Sequence, residues 1–305
     1  MTERLVIIGN GMAPGRMLEH LLEAAPGRNQ VTIFNAEPRV NYDRIMLSPV
    51  LSGEKDYEEI IIHGDGWYIK NGITLYKGHK VVAIDRAAKT VTSDHGVTES
   101  YDKLVIATGS VPFILPVPGN NLAGVLSYRD LDDVNAMLLA AQSRAKAVVI
   151  GGGLLGLEAA AGLEARGMDV TVLHLMPTLM ERQLDPAAGY LLQRAVEARG
   201  IKVVTKANTK AILGNGKVEC VELADGTVIP ATLVVMARHP SQCVAGEGVG
   251  ARGQSRHPGR CRDACLRSGY LRYRRVRGGQ WPYLRSCGAA LRDGSCCCRS
   301  TCWPR

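Results

Sequence analysis

Val148-Val149-Ile150-Gly151-Gly152-Gly153-Leu154-Leu155-Gly156 decides the fold of this 305-residue chain. Residues 147–150 are short, continuous and apolar, which reads as a buried parallel strand. Gly151, Gly153 and Gly156 keep the G-x-G-x-x-G spacing, and residues 154–165 predict a helix whose Ala160 leaves room against a sheet. Residues 170–173 are the next strand and complete a βαβ unit. Glycines so spaced let the backbone turn tightly and approach a pyrophosphate, while the helix N-terminus attracts its charge.

The same grammar occurs earlier. Leu5-Val6-Ile7-Ile8-Gly9-Asn10-Gly11, with Gly15 following, joins a strand at 5–8 to a helix at 13–25, on which Met17, Leu18, Leu21, Leu22 and Ala25 recur at helical spacing. A strand at 31–34 closes this unit, and Glu37 follows it, where an acid accepts hydrogen bonds from an adenosine ribose. A glycine-rich turn without a ligand is the plain alternative for one such match, and the complete unit weighs against it. In the second unit His174 stands where the acid belongs. That residue reads either as tolerance of a 2′-phosphate or as a partly exposed strand-end histidine. Two units about 140 residues apart point to two dinucleotides bound face to face.

Between them, Tyr101-Asp102-Lys103-Leu104-Val105-Ile106-Ala107-Thr108-Gly109-Ser110 is an apolar strand ending in small residues, which let the chain pass close to a dinucleotide and cross into a second domain. Residues 80–85 and 89–92 read as a hairpin or meander. Residues 218–223, 227–229 and 233–236 read as strands, with a tight turn at Asp225-Gly226. The expected fold class is α/β, with two Rossmann-like dinucleotide-binding domains, the first interrupted by the second. The first domain begins in 1–113, the second occupies 114–237, and an irregular Arg/Cys-rich tail fills 238–305.

The whole chain carries a formal charge of +8, yet its last 68 residues hold fourteen arginines, no lysine and three acids. That tail alone carries +11, which leaves −3 for the first 237 residues. Eight of nine cysteines also fall there, only Cys220 preceding residue 238. Adjacent Cys296-Cys297-Cys298 fit tetrahedral zinc poorly, and no metal site is expected. Arginines interleaved with Tyr270, Tyr273, Trp281 and Tyr283 raise a nucleic-acid arm as the non-enzyme alternative, though no specific nucleic acid is expected as a partner. No apolar run approaches the ~18 residues that cross a membrane. The residues Met1-Thr2-Glu3-Arg4 and the four apolar ones after them are too short for a signal peptide, so a cytoplasmic protein without a membrane partner is expected.

Together these features resemble the pyridine nucleotide–disulfide oxidoreductase superfamily. Asn35-Ala36-Glu37-Pro38-Arg39-Val40-Asn41-Tyr42-Asp43-Arg44-Ile45-Met46-Leu47-Ser48-Pro49-Val50-Leu51 and Val172-Leu173-His174-Leu175-Met176-Pro177-Thr178-Leu179-Met180-Glu181-Arg182-Gln183-Leu184-Asp185 narrow it. They are similar to the N-terminal flavin module of the large subunit of assimilatory NAD(P)H nitrite reductases, nearly without gaps from residue 4 to 237. The resemblance implies that Gly9, Gly11, Gly15, Glu37, Arg44, Thr108 and Gly109 hold FAD, and that Gly151, Gly153, Gly156 and Glu158 line the nicotinamide site. His174 is the residue such proteins usually carry there. Arg44 would pair with phosphate or stack on adenine, a solvated surface arginine being its alternative.

The implied activity takes hydride from NAD(P)H to FAD and passes electrons to a redox partner or to a sirohaem/iron–sulfur domain, for nitrite assimilation. A reductase of a ferredoxin, rubredoxin or nitrate reductase is the related alternative. No cysteine pair lies near the flavin, so thiol–disulfide exchange is not expected, and no acid–base pair stands out as catalytic. After Met236-Ala237 the resemblance breaks off. With chosen synonymous codons, residues 266–275 read from the second base give Ser-Asp-Pro-Asp-Ile-Tyr-Ala-Ile-Gly-Glu, the family's closing strand, whose aspartate meets the flavin ribityl chain. Residues 238–242 and 284–294 yield family segments in the same frame. A frameshift near codon 237 is the expectation, and with it weak FAD retention and a disordered tail.

Overall fold

The computed structural model describes residues 2–237 and 270–272. β1 (Glu3–Ile8) has four consecutive buried apolar residues, as befits a strand covered on both faces. It leads into α1 (Met12–Ala24), which buries Met17 and Leu18. β2 (Asn29–Asn35) lies parallel to β1, with Leu5 opposite Val31 and Ile8 opposite Phe34. β3 (Asn41–Tyr42), a 3₁₀ turn at Arg44–Met46 and α2 (Leu47–Ser52) follow. β4 (Ile61–His63) folds back on β3, α3 (Asp65–Lys70) follows, and β5 (Thr74–Lys77) joins β2 in parallel. β6 (Val81–Asp85), β7 (Thr90–Ser93) and β8 (Thr98–Ser100) form the expected meander, and β9 (Lys103–Ile106) returns beside β1.

The second half repeats the plan. β10 (Val125–Ser127) and α4 (Leu131–Ala141) precede β11 (Lys146–Ile150), α5 (Leu154–Ala165) and β12 (Asp169–Leu173), which is the predicted βαβ unit. α6 (Pro186–Ala198) and β13 (Lys202–Val204) come next. β14 (Thr209–Leu213), β15 (Cys220–Leu223) and β16 (Val228–Pro230) form a second antiparallel meander, turning through Gly226 between β15 and β16. β17 (Leu233–Met236) enters the sheet between β10 and β11.

Both main sheets are parallel and five-stranded; with β18 (Tyr270–Arg272) at one edge of the first, the orders are β18-β9-β1-β2-β5 and β10-β17-β11-β12-β13. In each, the glycine-loop strand is central and the late return strand lies beside it. They differ at one edge. β10 immediately precedes the unit it joins, whereas β18 (Tyr270–Arg272) comes from far downstream and pairs in parallel with β9, Tyr270 opposite Leu104. The remainder of the tail, with the readings of it as irregular, zinc-binding, nucleic-acid-binding or out of frame, lies outside the described residues. Among the described residues no helix is long and apolar enough to cross a membrane.

The largest buried cluster joins the halves. Tyr42, Leu47, Val50, Leu51 and Ile60 pack with residues of α4, α5, β11, β12 and β17 in one core. α2 meets α5 so closely that a Cβ on Gly162 would stand 2.7 Å from Leu51 Cγ. Arg166 seals the end of this contact, donating through Nε to the Leu51 carbonyl at 2.7 Å and through Nη2 at 3.2 Å to that of Val50, which also accepts the Gly53 amide.

Candidate functional site

The first glycine loop leaves β1 at Gly9, whose φ of +103° an L side chain rarely adopts. The Gly9 amide donates to the Phe34 carbonyl at 2.8 Å, and a Cβ on Gly9 would stand 2.8 Å from the Ala107 carbonyl carbon. The loop and the end of β9 thus touch backbone to backbone. Gly11 caps α1 without any side-chain hydrogen bond, and a Cβ added to it would meet open space. The N-terminus of α1 therefore begins beside open space with no side chain capping it, the arrangement that receives a phosphate. Gly15 lies on the packed side, where a Cβ would overlap the Asn41 amide. Asn41, which has no role in the sequence pattern, donates to the Gly11 carbonyl at 2.8 Å and so ties the loop to β3.

Glu37 follows β2 as expected, but its carboxylate is engaged. It accepts the Tyr42 hydroxyl at 2.7 Å and the Arg44 guanidinium. Arg44 is neither on an open loop nor a solvated surface cation. It begins the 3₁₀ turn capped by Asp43, is 28% exposed, lies 5.1 Å from the Tyr42 ring centroid, and donates to the Arg129 carbonyl at 3.2 Å. Burial holds the Tyr42 phenol well above its ordinary range, so it remains a donor to Glu37.

Thr108 and Gly109 are exposed just beyond β9. Opposite them lies Arg129, which the sequence did not single out. Its Nη1 donates to Ser110 Oγ at 3.0 Å, and a Cβ on Gly109 would be 2.8 Å from its Nη2. Asp133 fixes the backbone here, accepting the Arg129 amide at 2.7 Å and the Ser127 hydroxyl at 2.9 Å. Burial first, then the neighbouring Arg44 cation, lower the Arg129 pKa. Two partly buried guanidiniums, Arg44 and Arg129, lie here together, with the Glu37 and Asp130 carboxylates nearby, and guanidiniums are the side chains best shaped to meet a pyrophosphate.

The second loop repeats the first. Gly151 has φ +131° and donates to the Leu173 carbonyl at 2.9 Å. Gly156 faces the loop, where a Cβ would overlap the Gly151 carbonyl. Gly153 caps α5 without a side-chain bond and again borders open space. Leu154 and Leu155 begin α5 as exposed apolar residues beside that space.

Glu158 lies one turn into α5 and accepts the Ser48 hydroxyl at 2.8 Å, and Ser48 Oγ lies 2.9 Å from the Tyr128 hydroxyl. A polar chain therefore links α2, from the first half, to α5 of the second. Burial, with Glu158 nearby, pushes the Tyr128 phenol up to about 12. His174 is not the partly exposed strand-end histidine the sequence allowed. It is buried at 7% exposure, and both ring nitrogens are engaged: Nδ1 accepts the Gly152 amide at 3.0 Å, and Nε2 lies 3.0 Å from Glu181 Oε2.

Residues 3–250 match the family described as pyridine nucleotide-disulphide oxidoreductase. The chain is 50% identical over 235 residues to the "Nitrite reductase [NAD(P)H]" of Bacillus subtilis, covering 77% of this chain and 29% of that protein. It is 45% identical over 235 residues to the "Assimilatory nitrate reductase electron transfer subunit" of the same organism, covering 77% and 30%. Among solved structures, the ferredoxin reductase for the CYP199A2 system from Rhodopseudomonas palustris superposes with a TM-score of 0.72 at 28% identity, covering 78% of this chain and 59% of the other. The chain thus spans under a third of the length of these two curated relatives.

Proposed function

Because the chain belongs to the pyridine nucleotide-disulphide oxidoreductase family, we propose that it is the flavin module of a nitrite-assimilating NAD(P)H oxidoreductase. In this reading residues 1–113 begin an FAD domain and 114–237 form the NAD(P) domain. The observation that carries it is the pair of glycine turns at Gly11 and Gly153, each with open space beside it and no side-chain cap on the helix N-terminus that follows a parallel strand. FAD would rest on Gly9, Gly11 and Gly15, with Arg44, Arg129, Thr108 and Gly109 near its phosphates and Glu37 toward its ribose. NAD(P)H would rest on Gly151, Gly153 and Gly156, with Glu158 toward the nicotinamide end.

Bound FAD supplies the hydride-accepting ring, which hands electrons on singly. The chain's own residues orient and shield. Asn41 and the Ala107 carbonyl fix the first loop. Ser48 keeps Glu158 and Tyr128 aligned between the halves. The fused core of α2 and α5 fixes the spacing of the two cradles. Cys220 is the sole cysteine before residue 238, so this stretch holds no disulfide to reduce. The acceptor is a sirohaem/iron–sulfur domain or a separate redox protein. The resemblance to a nitrate reductase electron transfer subunit favours the second form of acceptor as the alternative.

The test is a visible spectrum of the purified chain with and without added FAD. A flavin band bleached anaerobically by NADH supports the reading. If FAD added in excess fails to bind and NADH binds nowhere, the reading falls. Assays with nitrite-reducing and nitrate-reducing partner proteins separate the two acceptors.

A further inference from the structure

In the first sheet the ribose-side acid, Glu37, lies two residues beyond β2. The corresponding place beyond β12 holds Leu175 and Met176, both exposed and neither able to accept a hydroxyl proton. The structure nevertheless brings a carboxylate to that strand end from further along the chain. Because the Gly152 amide donates to His174 Nδ1, the ring proton lies on Nε2, which donates to Glu181 Oε2 at 3.0 Å. The other oxygen, Oε1, makes no hydrogen bond among the described residues, and the Glu181 side chain is 29% exposed.

The loop carrying Glu181 is fastened to the glycine loop itself. The Met180 amide donates to the Gly152 carbonyl at 3.0 Å, so Gly152 is bonded through both its amide and its carbonyl. Leu179 is fully buried, and a Cβ on Gly152 would lie 2.5 Å from Leu179 Cδ2 and 2.7 Å from His174 Cγ. Met180 adopts φ +54°, a left-handed conformation that a non-glycine residue rarely takes. The residue next to the carboxylate is thus held in an unfavourable conformation by its neighbours.

We propose that Glu181, positioned by His174, is the carboxylate that accepts the adenosine ribose hydroxyls of the nicotinamide dinucleotide, and that it selects against a 2′-phosphate. The inference rests on the reading of the Gly151 loop as a nicotinamide dinucleotide site. An acid at the end of this strand takes the ribose hydroxyls and repels a phosphate dianion, whereas a cation would welcome it. Arg182 and Lys206 are exposed cations on the neighbouring loops and are the rival readers of a 2′-phosphate.

The test uses the full chain and two ligands that cannot react, ADP-ribose and 2′-phospho-ADP-ribose, titrated by calorimetry. Wild type should bind ADP-ribose at least tenfold more tightly. Glu181→Gln should shrink that ratio to threefold or less, and Glu181→Arg should invert it. His174→Asn, which keeps an acceptor for the Gly152 amide but removes the donor to Glu181, should give an intermediate ratio. An unchanged ratio in Glu181→Gln, or a wild-type preference for the 2′-phosphate, overturns the proposal. Binding of neither ligand by wild type instead overturns the reading of the Gly151 loop, and this inference with it.

Discussion

Gly9 stands against Ala107 with no room for a side chain: a Cβ on Gly9 would lie 2.8 Å from the Ala107 carbonyl carbon. Gly9→Ala adds a left-handed strain of about 1–2 kcal/mol to an overpacking cost of about 1–3 kcal/mol. The expected outcome is a loss of about 2–5 kcal/mol of stability, read from urea melts, together with loss of FAD binding. A melt within experimental error of wild type would show that the loop and β9 are not held together this way.

Gly156→Ala separates the two sites. In an open helix alanine would be favoured over glycine by about 0.5–1 kcal/mol. Here the added carbon would overlap the Gly151 carbonyl, and overlap wins. Nicotinamide nucleotide affinity should fall at least tenfold while FAD binding stays within about twofold of wild type. Equal loss at both sites would mean that the second loop is not a separate cradle.

Arg129→Met keeps much of the side-chain volume and removes the cation beside Gly109. A charged hydrogen bond to phosphate contributes about 1.5–3 kcal/mol, so FAD affinity should fall about tenfold or more. The quantity to measure is the FAD dissociation constant from flavin fluorescence. An unchanged value assigns Arg129 to the fold alone.

Tyr128 predicts an alkaline sensitivity. Its folded pKa, about 12, lies above the ordinary value of 10 for a phenol. Between those values the unfolded chain has released the proton and the folded chain keeps it, so unfolding is favoured as pH rises. The stability associated with Tyr128 is fully present below pH 10 and is lost toward pH 12. Tyr128→Phe should therefore melt with a shallower decline from pH 9 to 11 than wild type. Parallel declines would contradict the assignment.

The tail carries a genetic prediction. Sequencing the gene across codon 237 should reveal one inserted or deleted base relative to a frame that continues the family pattern. An intact frame with codons incompatible with the second-base reading would refute the frameshift.

The second βαβ unit was legible because its signals are local: three spaced glycines, a short apolar strand and a helix that occupies residues 154–165 as predicted. Asp225-Gly226 likewise announced its turn. Two helices passed unread although their caps are visible in the sequence. Asp130 and Asp133 bracket the start of α4, and Asp185-Pro186 opens α6. The site residues that escaped were of another kind. Arg129 reaches Ser110 from 19 positions away, Asn41 reaches Gly11 from 30, and Glu181 meets His174 from seven. Their roles come from folding distant segments together, which no local pattern records. The position of Arg44 suggests a phosphate or adenine contact, but that Glu37 accepts from its guanidinium appears only in the folded chain.

The core running unbroken from Tyr42 and Leu51 into α4 and α5 bears on how the molecule comes apart. Cofactor-binding halves joined only by a strap would melt in two steps and yield to proteases at the strap. Here Leu51 sits against Gly162 and Arg166 ties α2 to α5, so neither half can loosen without baring the other's apolar face. A calorimeter would record one heat peak for the pair, and occupancy of either cradle would raise the melting temperature of both.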